Sequence, residues 1–358
     1  MRIGIDCRMY GKNFTGIGTY NQMFISELSK LDKNNEYILF VNKQHSELNN
    51  LPTNFKCVSV KSPIYSLKEQ TKFLIELYKQ KLDLVHFTNF NQPLLYLKKQ
   101  ITTIHDLTLF YSKGNKHNSL VSRLAFYTTF FKSVLFAKKI LVVSKHTKKD
   151  LIKKFRFTQN KIILHYLGFK KNSSELKKLE NFKEDKFLLY AGNWREHKNI
   201  PNLIKAFKIL KKDPSFKYKL VLTGKPNPLY PEVKNLIKKY KLQNDILLTG
   251  LIKENELNFL YKNASLYVQP SFYEGFGLPI LEALSFQTQV AASNTSCIPE
   301  IGEDQIHYFK PQSPKSIAQT ILKALKNPIE LKKNYLKKFK WKKTGEIILN
   351  TYKQCLNQ

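Results

Sequence analysis

The sequence predicts an α/β protein of two doubly wound, Rossmann-like domains. Three observations support this: a length of 358 residues, an apolar content of 42%, and short apolar segments that alternate with longer helical ones. A chain of this length holds about two domains of usual size, and its apolar content suffices for sizeable cores. Strand–helix alternation favours parallel sheets covered by helices on both faces.

The alternation runs through the chain twice. In the first half, strands are predicted at 3–7, 37–41, 84–87, 101–104 and 140–143, and helices at 20–31, 67–80, 119–137 and 145–155. In the second half, strands are predicted at 187–190, 219–222, 246–248 and 266–268, and helices at 200–210, 231–240, 254–261, 279–285 and 314–325. Ligands of open parallel sheets bind beyond the carboxyl ends of the strands, so we expect two domains that face an interdomain cleft.

Domain boundaries follow from the same pattern. We expect an N-terminal domain over residues 1–168, a polar linker over 169–185 and a C-terminal domain over 186–335. The basic helical segment 336–358 is expected to pack back on the N-terminal domain.

The charge of the chain is strongly positive. It carries 60 Lys and Arg against 27 Asp and Glu, a formal net charge of +33, and between Lys113 and Lys161 the only acidic residue is Asp150. This excess indicates either an anionic partner or a compositional bias toward lysine. A nucleic-acid-binding protein is one candidate class, but no RNA- or DNA-binding signature is present, so no nucleic acid partner is expected.

The cysteines indicate neither a disulfide framework nor a metal site. Cys7, Cys57, Cys297 and Cys355 lie far apart, and no His or Cys spacing suggests zinc. We expect small core residues in a reducing compartment. No apolar run reaches the 18 or so residues that span a bilayer, which predicts a cytoplasmic protein that at most rests on a membrane.

The strongest constellation follows the predicted strand 266–268. Glu274 begins a glycine-containing loop, Pro279 suits the first position of a helix, and Glu282 lies in that helix. The glycines allow close approach of the backbone to a ligand, and amides at a helix N-terminus bind anions. The two carboxylates can accept hydrogen bonds from sugar hydroxyl groups. The amides expected to point out of this helix N-terminus are those near Phe276, Gly277 and Leu278.

Three further segments stand at the ends of predicted strands. Arg195 and Lys198 follow the first strand of the second half and suit phosphate oxygens, the first as a planar fork and the second as a point charge. Gly16 and Gly18 follow the first strand of the chain, where they either bind a phosphate or form a tight turn. His105 and Asp106 follow the strand 101–104, where the imidazole either contacts a hydroxyl group or bonds to the backbone.

The nine-residue string from Glu274 to Glu282 resembles the E-x7-E signature of retaining glycosyltransferases of family four, which have the GT-B architecture. Other segments resemble further family motifs in the expected order: the glycine loop at 14–20, the His-Asp motif at 103–107, the segment 142–148 and the basic phosphate motif at 192–199. The resemblance covers nearly the whole chain and is most specific in its C-terminal half.

The resemblance implies roles for these residues. It gives His105, Arg195, Lys198 and Glu274 as catalytic, with Arg195 rather than His197 taken as the family's arginine. Glu274 would hold hydroxyl groups of the donor sugar, and Glu282 would hold the ribose. The residues implied in donor binding are Gly16, Gly18, Asp106, Gly192, Asn199, Gly275, Phe276, Gly277, Leu278 and Glu282. No cofactor or metal is expected, since the two cations and helix dipoles can stabilise a leaving diphosphate.

The implied activity is retaining transfer of a hexose from a nucleotide sugar to a glycan or lipid-linked acceptor, in surface polysaccharide or lipopolysaccharide biosynthesis. GDP-mannose is the favoured donor and a UDP-hexose the other. The chain has 286–290 where family members usually have Gly-x-Pro-Val, which leaves the donor open. The alternatives are a sugar-nucleotide epimerase on the same fold and, from another class, a basic nucleic-acid-binding protein.

The segment 119–137 is basic and rich in aromatic residues. Phe126, Tyr127, Phe130, Phe131 and Phe136 lie near Arg123 and Lys132. Such a helix either rests on an anionic membrane, which fits a lipid-linked acceptor, or packs its apolar side on the core and solvates its basic side.

Overall fold

The computed structural model describes residues 1–11, 14–111, 120–169, 175–180 and 182–357. The chain divides into two compact units. The first comprises Met1–Leu107, Lys116–Gly168 and Phe339–Gln358, and the second comprises Thr108–Asn115 and Phe169–Lys338. Each unit is built on one parallel sheet, so the predicted α/β class with two doubly wound domains is confirmed.

The first sheet has seven strands in the order β3-β2-β1-β4-β5-β6-β7. They are β1 (Arg2–Asp6), β2 (Glu36–Val41), β3 (Phe55–Ser59), β4 (Leu84–Phe87), β5 (Gln100–Ile104), β6 (Lys139–Val142) and β7 (Ile162–Leu164). In β2, every residue after Glu36 is buried, as expected for an inner strand covered on both faces.

The second sheet has six strands in the order β10-β9-β8-β11-β12-β13. They are β8 (Phe187–Ala191), β9 (Lys219–Thr223), β10 (Ile246–Gly250), β11 (Leu266–Gln269), β12 (Val290–Ser293) and β13 (His307–Phe309). Counted within the unit, this is the strand order 3-2-1-4-5-6 of dinucleotide-binding folds. The order reverses between β8 and β11.

The helices follow the strands in chain order. They are α1 (Thr15–Leu31), α2 (Leu74–Lys79), α3 (Thr108–Tyr111), α4 (Leu120–Phe136), α5 (Lys145–Lys154), α6 (Ile200–Leu210), α7 (Glu232–Lys239), α8 (Glu254–Asn263), α9 (Leu278–Ser285), α10 (Ile298–Gly302), α11 (Pro314–Lys326) and α12 (Trp341–Leu356). Side chains fix some of the helix starts. Ser144 accepts a hydrogen bond from the Thr147 amide at the start of α5, and Ser313 accepts one from the Ser316 amide at the start of α11.

Two predicted helices are interrupted. The segment predicted as one helix at 67–80 is helical over 67–79, but a π-helical turn, Glu69–Phe73, precedes α2. The first residue of that turn, Glu69, makes a buried ion pair with Arg8, 2.8 Å long. The terminal segment consists of a 3-10 turn, Tyr335–Lys338, followed by α12.

The final helix, α12, belongs to the first unit and packs on α1. Gly345 permits this contact, because a Cβ there would lie 3.0 Å from Leu31 Cδ1 and 3.1 Å from Glu27 Cβ. Tyr352, also in α12, is fully buried, and its hydroxyl group lies 2.7 Å from His86 Nδ1. In the described ranges, no helix has the length and apolarity needed to cross a bilayer.

Candidate functional site

The loops that follow β8 and β11 leave the second sheet at its switch point, where strand order reverses. Neighbouring strands diverge into helices on opposite faces there, which opens a crevice beyond their carboxyl ends. The basic segment from Gly192 to Asn199 follows β8, and the segment from Pro270 to Leu278 follows β11. The two strongest motifs of the second half therefore meet at one edge of the sheet.

Lys198 and Glu274 form an ion pair between these loops. The Lys198 Nζ atom lies 2.7 Å from Oε1 and 2.8 Å from Oε2 of Glu274. A backbone hydrogen bond of 2.8 Å from the Phe272 amide to the His197 carbonyl group fixes the loops beside the pair. Both side chains are largely buried, at 19% and 10% exposure.

Glu274 is ionised despite its burial. Burial alone raises the pKa of a carboxyl group, but the charge and hydrogen bonds of Lys198 and the hydrogen bond from Ser271 outweigh it and lower the pKa of Glu274. The amide of Glu274 donates to Ser296 Oγ at 3.0 Å, and its carbonyl group accepts a hydrogen bond from Cys297 Sγ. The carboxylate is thus held in place as a permanent acceptor.

Arg195 lies three residues before Lys198, at the start of the 3-10 turn Glu196–Lys198. Its side chain is exposed, and within the described part of the chain its guanidinium group has no hydrogen-bonding or ionic partner. Its five N–H donors are therefore available to an anion.

Asn199 connects three loops of the unit. It has a left-handed backbone (φ 57°) and is buried, and its Nδ2 atom donates to the carbonyl groups of Pro270 (2.9 Å) and Pro311 (2.8 Å). Its amide hydrogens thus join the loops after β8, β11 and β13. Donor binding by Asn199 stays a prediction.

The helix after the glycine loop begins one residue earlier than expected. Gly277 caps α9 in a left-handed conformation (φ 96°) that favours glycine, and Pro279 is its second residue rather than its first. Gly275 and Phe276 precede this cap, and the amide of Leu278 opens the helix. Glu282 Oε2 accepts a 2.9 Å hydrogen bond from the Tyr261 hydroxyl group, and burial raises the pKa of Glu282.

Gly192 lies against a glycine that the sequence motifs did not single out. A Cβ on Gly224 would lie 2.0 Å from the Gly192 carbonyl oxygen, and the φ of Gly224 is 117°, so this position requires glycine. The Thr-Gly pair that ends β9 was the signal in the sequence. Gly224 thus allows the backbones that follow β8 and β9 to lie in close contact.

In the first unit, the two glycines of the N-terminal loop have different surroundings. Both lie in the first turn of α1, which begins at Thr15. A Cβ on Gly18 would lie 1.9 Å from the Gly11 carbonyl oxygen, whereas a Cβ on Gly16 would meet no atom of the described residues within 4 Å. Gly18 is required by packing, whereas no described residue crowds Gly16.

His105 follows β5 and bonds to the backbone. Its Nε2 atom lies 2.9 Å from the Thr88 carbonyl oxygen, which only accepts, so this nitrogen carries the proton. Burial lowers the pKa of His105, so the ring is neutral at neutral pH and its Nδ1 atom is an acceptor. Tyr20 contacts the ring edge-on, with centroids 4.8 Å apart. Asp106, the next residue, is half-buried.

A buried polar network behind His105 was missed by the sequence analysis. His86 Nε2 lies 2.8 Å from Thr103 Oγ1, which also lies 3.1 Å from the Tyr20 hydroxyl group. With the Tyr352 contact to His86, this network connects α12 to the ring that touches His105. No motif marks it, because its members come from four separate segments. Among the described residues, no group of three or more His, Cys, Asp or Glu could hold a metal ion.

Comparison with known proteins agrees with this architecture. Residues 171–341 match the family model described as glycosyl transferases group 1. The chain is 28% identical to O-antigen chain mannosyltransferase B of Escherichia coli, over 75% of this chain and 73% of that protein. It is 26% identical to the O-antigen chain mannosyltransferase RfbU of Salmonella typhimurium, over 97% of this chain and 98% of that protein.

Solved structures show the same fold. Sucrose-phosphate synthase from Thermosynechococcus elongatus superposes with a TM-score of 0.77 at 18% identity, over 99% of this chain and 98% of that one. WaaG, a glycosyltransferase involved in lipopolysaccharide biosynthesis, superposes with a TM-score of 0.70 at 14% identity, over 98% of this chain and 95% of that one. Residues 171–341 therefore match a glycosyl transferases group 1 domain, and the chain as a whole has the GT-B fold.

Proposed function

We propose that the protein transfers a hexose, with mannose from GDP-mannose favoured, from a nucleotide sugar to a glycan or lipid-linked acceptor in O-antigen or lipopolysaccharide biosynthesis. The observation that carries this proposal is the Lys198–Glu274 ion pair at the switch point of the second sheet. The exposed guanidinium group of Arg195, which has no partner among the described residues, lies three residues before Lys198 in the chain. The Glu274 carboxylate is a fixed acceptor for sugar hydroxyl groups, and Lys198 and Arg195 are cations that can bind a diphosphate.

The charges suit the departure of a nucleoside diphosphate. As the bond from the anomeric carbon to the diphosphate breaks, negative charge grows on the phosphate oxygens, and cations fixed in advance stabilise that charge. Lys198 is held in place by Glu274, whereas the guanidinium group of Arg195 is exposed and can form a bidentate contact with phosphate oxygens. The acceptor oxygen then bonds to the anomeric carbon on the same face, and its proton passes to a phosphate oxygen.

The two carboxyl groups of the signature have different surroundings, which supports different roles. Glu274 has a lowered pKa and remains an acceptor for donor-sugar hydroxyl groups. Glu282 shares one oxygen with Tyr261 and keeps the other for a ribose hydroxyl group. His105, with Nδ1 as acceptor, can receive a hydrogen bond from a sugar hydroxyl but cannot donate one while neutral.

The choice of mannose rests on relatives. Both bacterial relatives with high coverage are named as mannosyltransferases of the O-antigen chain. A structural neighbour, HepE of Anabaena, is described in complex with UDP-glucose, at 13% identity and a TM-score of 0.65. GDP-mannose is therefore the first donor to test and UDP-hexoses the second.

We also propose that the protein binds its lipid-linked acceptor at an anionic membrane surface. One side of α4 exposes an apolar stripe at helical spacing, formed by Leu120, Leu124, Tyr127, Phe131 and Leu135, at 41% to 82% exposure. Arg123 lies on the same exposed side, and Lys138 follows the helix. Lys132, which the sequence analysis grouped with these cations, is buried and takes no part in this surface. A helix of this kind lies in the plane of a membrane interface.

The deciding experiment is a donor panel on the purified full-length protein. GDP-mannose, UDP-glucose, UDP-galactose and UDP-N-acetylglucosamine are titrated calorimetrically, and each labelled donor is then incubated with a membrane extract that supplies lipid-linked glycans. We expect binding of GDP-mannose and acceptor-dependent transfer of labelled mannose. Donor turnover to an isomeric nucleotide sugar without any acceptor would instead identify an epimerase.

A further inference from the structure

The end of β11 carries three buried polar side chains that point toward Glu274. Tyr267, Gln269 and Ser271 alternate along the strand and its continuation, so they share one face. Each is at most 1% exposed. Buried polar groups of this kind are expected to form complete hydrogen-bonding networks.

The donors of this hydrogen-bonding network all lead toward Glu274. The Tyr267 hydroxyl group donates to Gln269 Oε1, and Gln269 Nε2 donates to Glu274 Oε1 at 2.5 Å and to Ser271 Oγ at 3.1 Å. Ser271 Oγ in turn donates to Glu274 Oε1 at 2.6 Å. The Glu274 carboxylate fixes the orientation of the Gln269 amide, because the reversed amide would turn its oxygen toward the carboxylate. The Tyr267 hydroxyl group then donates to the amide oxygen and holds the side chain in this position.

The two oxygens of Glu274 are consequently unequal. Oε1 receives hydrogen bonds from Gln269, Ser271 and Lys198, which fill its capacity, whereas Oε2 receives one from Lys198. Oε2 therefore keeps room for one more donor, such as a hydroxyl group of the donor sugar. The carboxylate cannot rotate to exchange the two oxygens without breaking this network.

We propose that Gln269 is a positioning residue for sugar transfer: with Tyr267 and Ser271 it locks the Glu274 carboxylate so that Oε2 is the oxygen that binds the donor sugar. The inference rests on the proposed function of Glu274. Gln269 acts through Glu274 and does not itself contact substrate. It was not part of the motif, which begins at Glu274, five residues after Gln269.

Three variants test the proposal by their kinetics and pH profiles. Gln269→Leu and Tyr267→Phe are expected to lower kcat by at least tenfold and about threefold, with smaller changes in the donor KM, because the oxygen is no longer held in place. Gln269→Glu brings a second carboxyl group to Glu274 Oε1, so the acidic limb of the kcat/KM profile should move up by about one pH unit.

Gln305→Leu is the matched control. It removes another buried amide of the same unit, which accepts a hydrogen bond from the Lys332 amide at 2.8 Å, and it is expected to change stability without changing the pH profile. The inference is overturned if Glu274→Gln is inactive while Gln269→Glu and Tyr267→Phe keep the wild-type kcat and acidic limb. Wild-type activity in Glu274→Gln would instead overturn the proposed site itself.

Discussion

The ammonium group of Lys198 lies 2.7 Å and 2.8 Å from the two carboxylate oxygens of Glu274, although 76 residues separate them in the chain. They meet because β8 and β11 are neighbours in the sheet and both residues follow the carboxyl ends of these strands. Neither charge is stable alone in this setting: an unpaired carboxylate at this depth is costly, and the lysine supplies its counter-charge.

Removal of Lys198 should therefore affect both stability and activity. We expect Lys198→Met to lower the free energy of unfolding by about 3 kcal/mol, because it leaves a buried carboxylate unpaired. Transfer should fall at least a hundredfold. In the double variant Lys198→Met/Glu274→Gln the stability should largely return while activity stays lost. Urea unfolding and transfer assays on all three proteins measure this, and equal stability of the single and double variants would contradict it.

Substitutions at Gly16 and Gly18 should have different effects, because Gly18 is required for packing and Gly16 is predicted to contact the donor. Gly18→Ala should destabilise the protein, because the added methyl group collides with the Gly11 carbonyl group. Gly16→Ala should leave the melting temperature unchanged or slightly raised, as alanine favours a helix. The same substitution should raise the donor KM at least fivefold, because Gly16 is predicted to contact the donor. Unchanged melting of Gly18→Ala would refute the packing assignment.

Stability should fall as the solution is acidified below neutrality. Burial lowers the pKa of His86 and of His165 to about 3, whereas the unfolded chain has ordinary histidines. Between pH 6.5 and 3 the unfolded state therefore binds more protons, and each residue should reduce stability by about 1.4 kcal/mol per pH unit. His165 has no hydrogen-bonding partner on either ring nitrogen among the described residues, so His165→Phe should reduce this slope. An unchanged slope in denaturant titrations at pH 5 to 6.5 would count against the assignment.

Lys132 should have a structural role, and its contribution to the stability of the protein should depend on pH above neutrality. Its Nζ atom donates to the carbonyl groups of Tyr96 (2.7 Å) and Pro93 (3.1 Å), and burial lowers its pKa to about 7. Between pH 7 and the ordinary lysine pKa the unfolded state binds more protons, so stability should rise with pH in that window.

Lys132→Met should remove this pH dependence and destabilise the protein by about 2 kcal/mol, because the carbonyl groups lose their donor. Chemical unfolding at pH 7 and pH 9 tests both effects. A variant that is as stable as the wild type at pH 7 would contradict the assigned role.

Membrane binding should depend on the apolar stripe of α4. Phe131→Glu should reduce binding to vesicles of phosphatidylglycerol and phosphatidylcholine at least tenfold, because it removes an apolar contact and adds a repelled charge. Leu251→Glu alters another exposed apolar residue, in the second unit, and should leave binding unchanged. Vesicle sedimentation at low and high salt measures this, and equal loss in both variants would argue against a specific surface.

The sequence predicted the elements whose patterns are strong and local. Residues 84–87 and 200–210 have the predicted bounds, because one is a short buried strand and the other is an amphipathic helix that begins beside a proline. Strands β3, β7 and β13 were missed because they are sheet edges, which are short or partly polar, and β12 consists of small residues.

The site was predictable only in part, for a similar reason. Loop glycines and charged residues that follow strands are visible in the sequence, as Glu274 and Lys198 show. The pairing of those two charges and the burial of Lys132 depend on segments that only folding brings together. Such contacts have no local pattern, so no motif could report them.

The most direct test of the central claim is the rate of sugar transfer by Glu274→Gln, measured with saturating labelled donor from the panel and compared with the wild type. The amide keeps the shape of the side chain but removes the charge paired with Lys198. The account predicts a folded protein whose transfer rate falls at least a hundredfold. A folded Glu274→Gln variant that transfers sugar within twofold of the wild-type rate would contradict it.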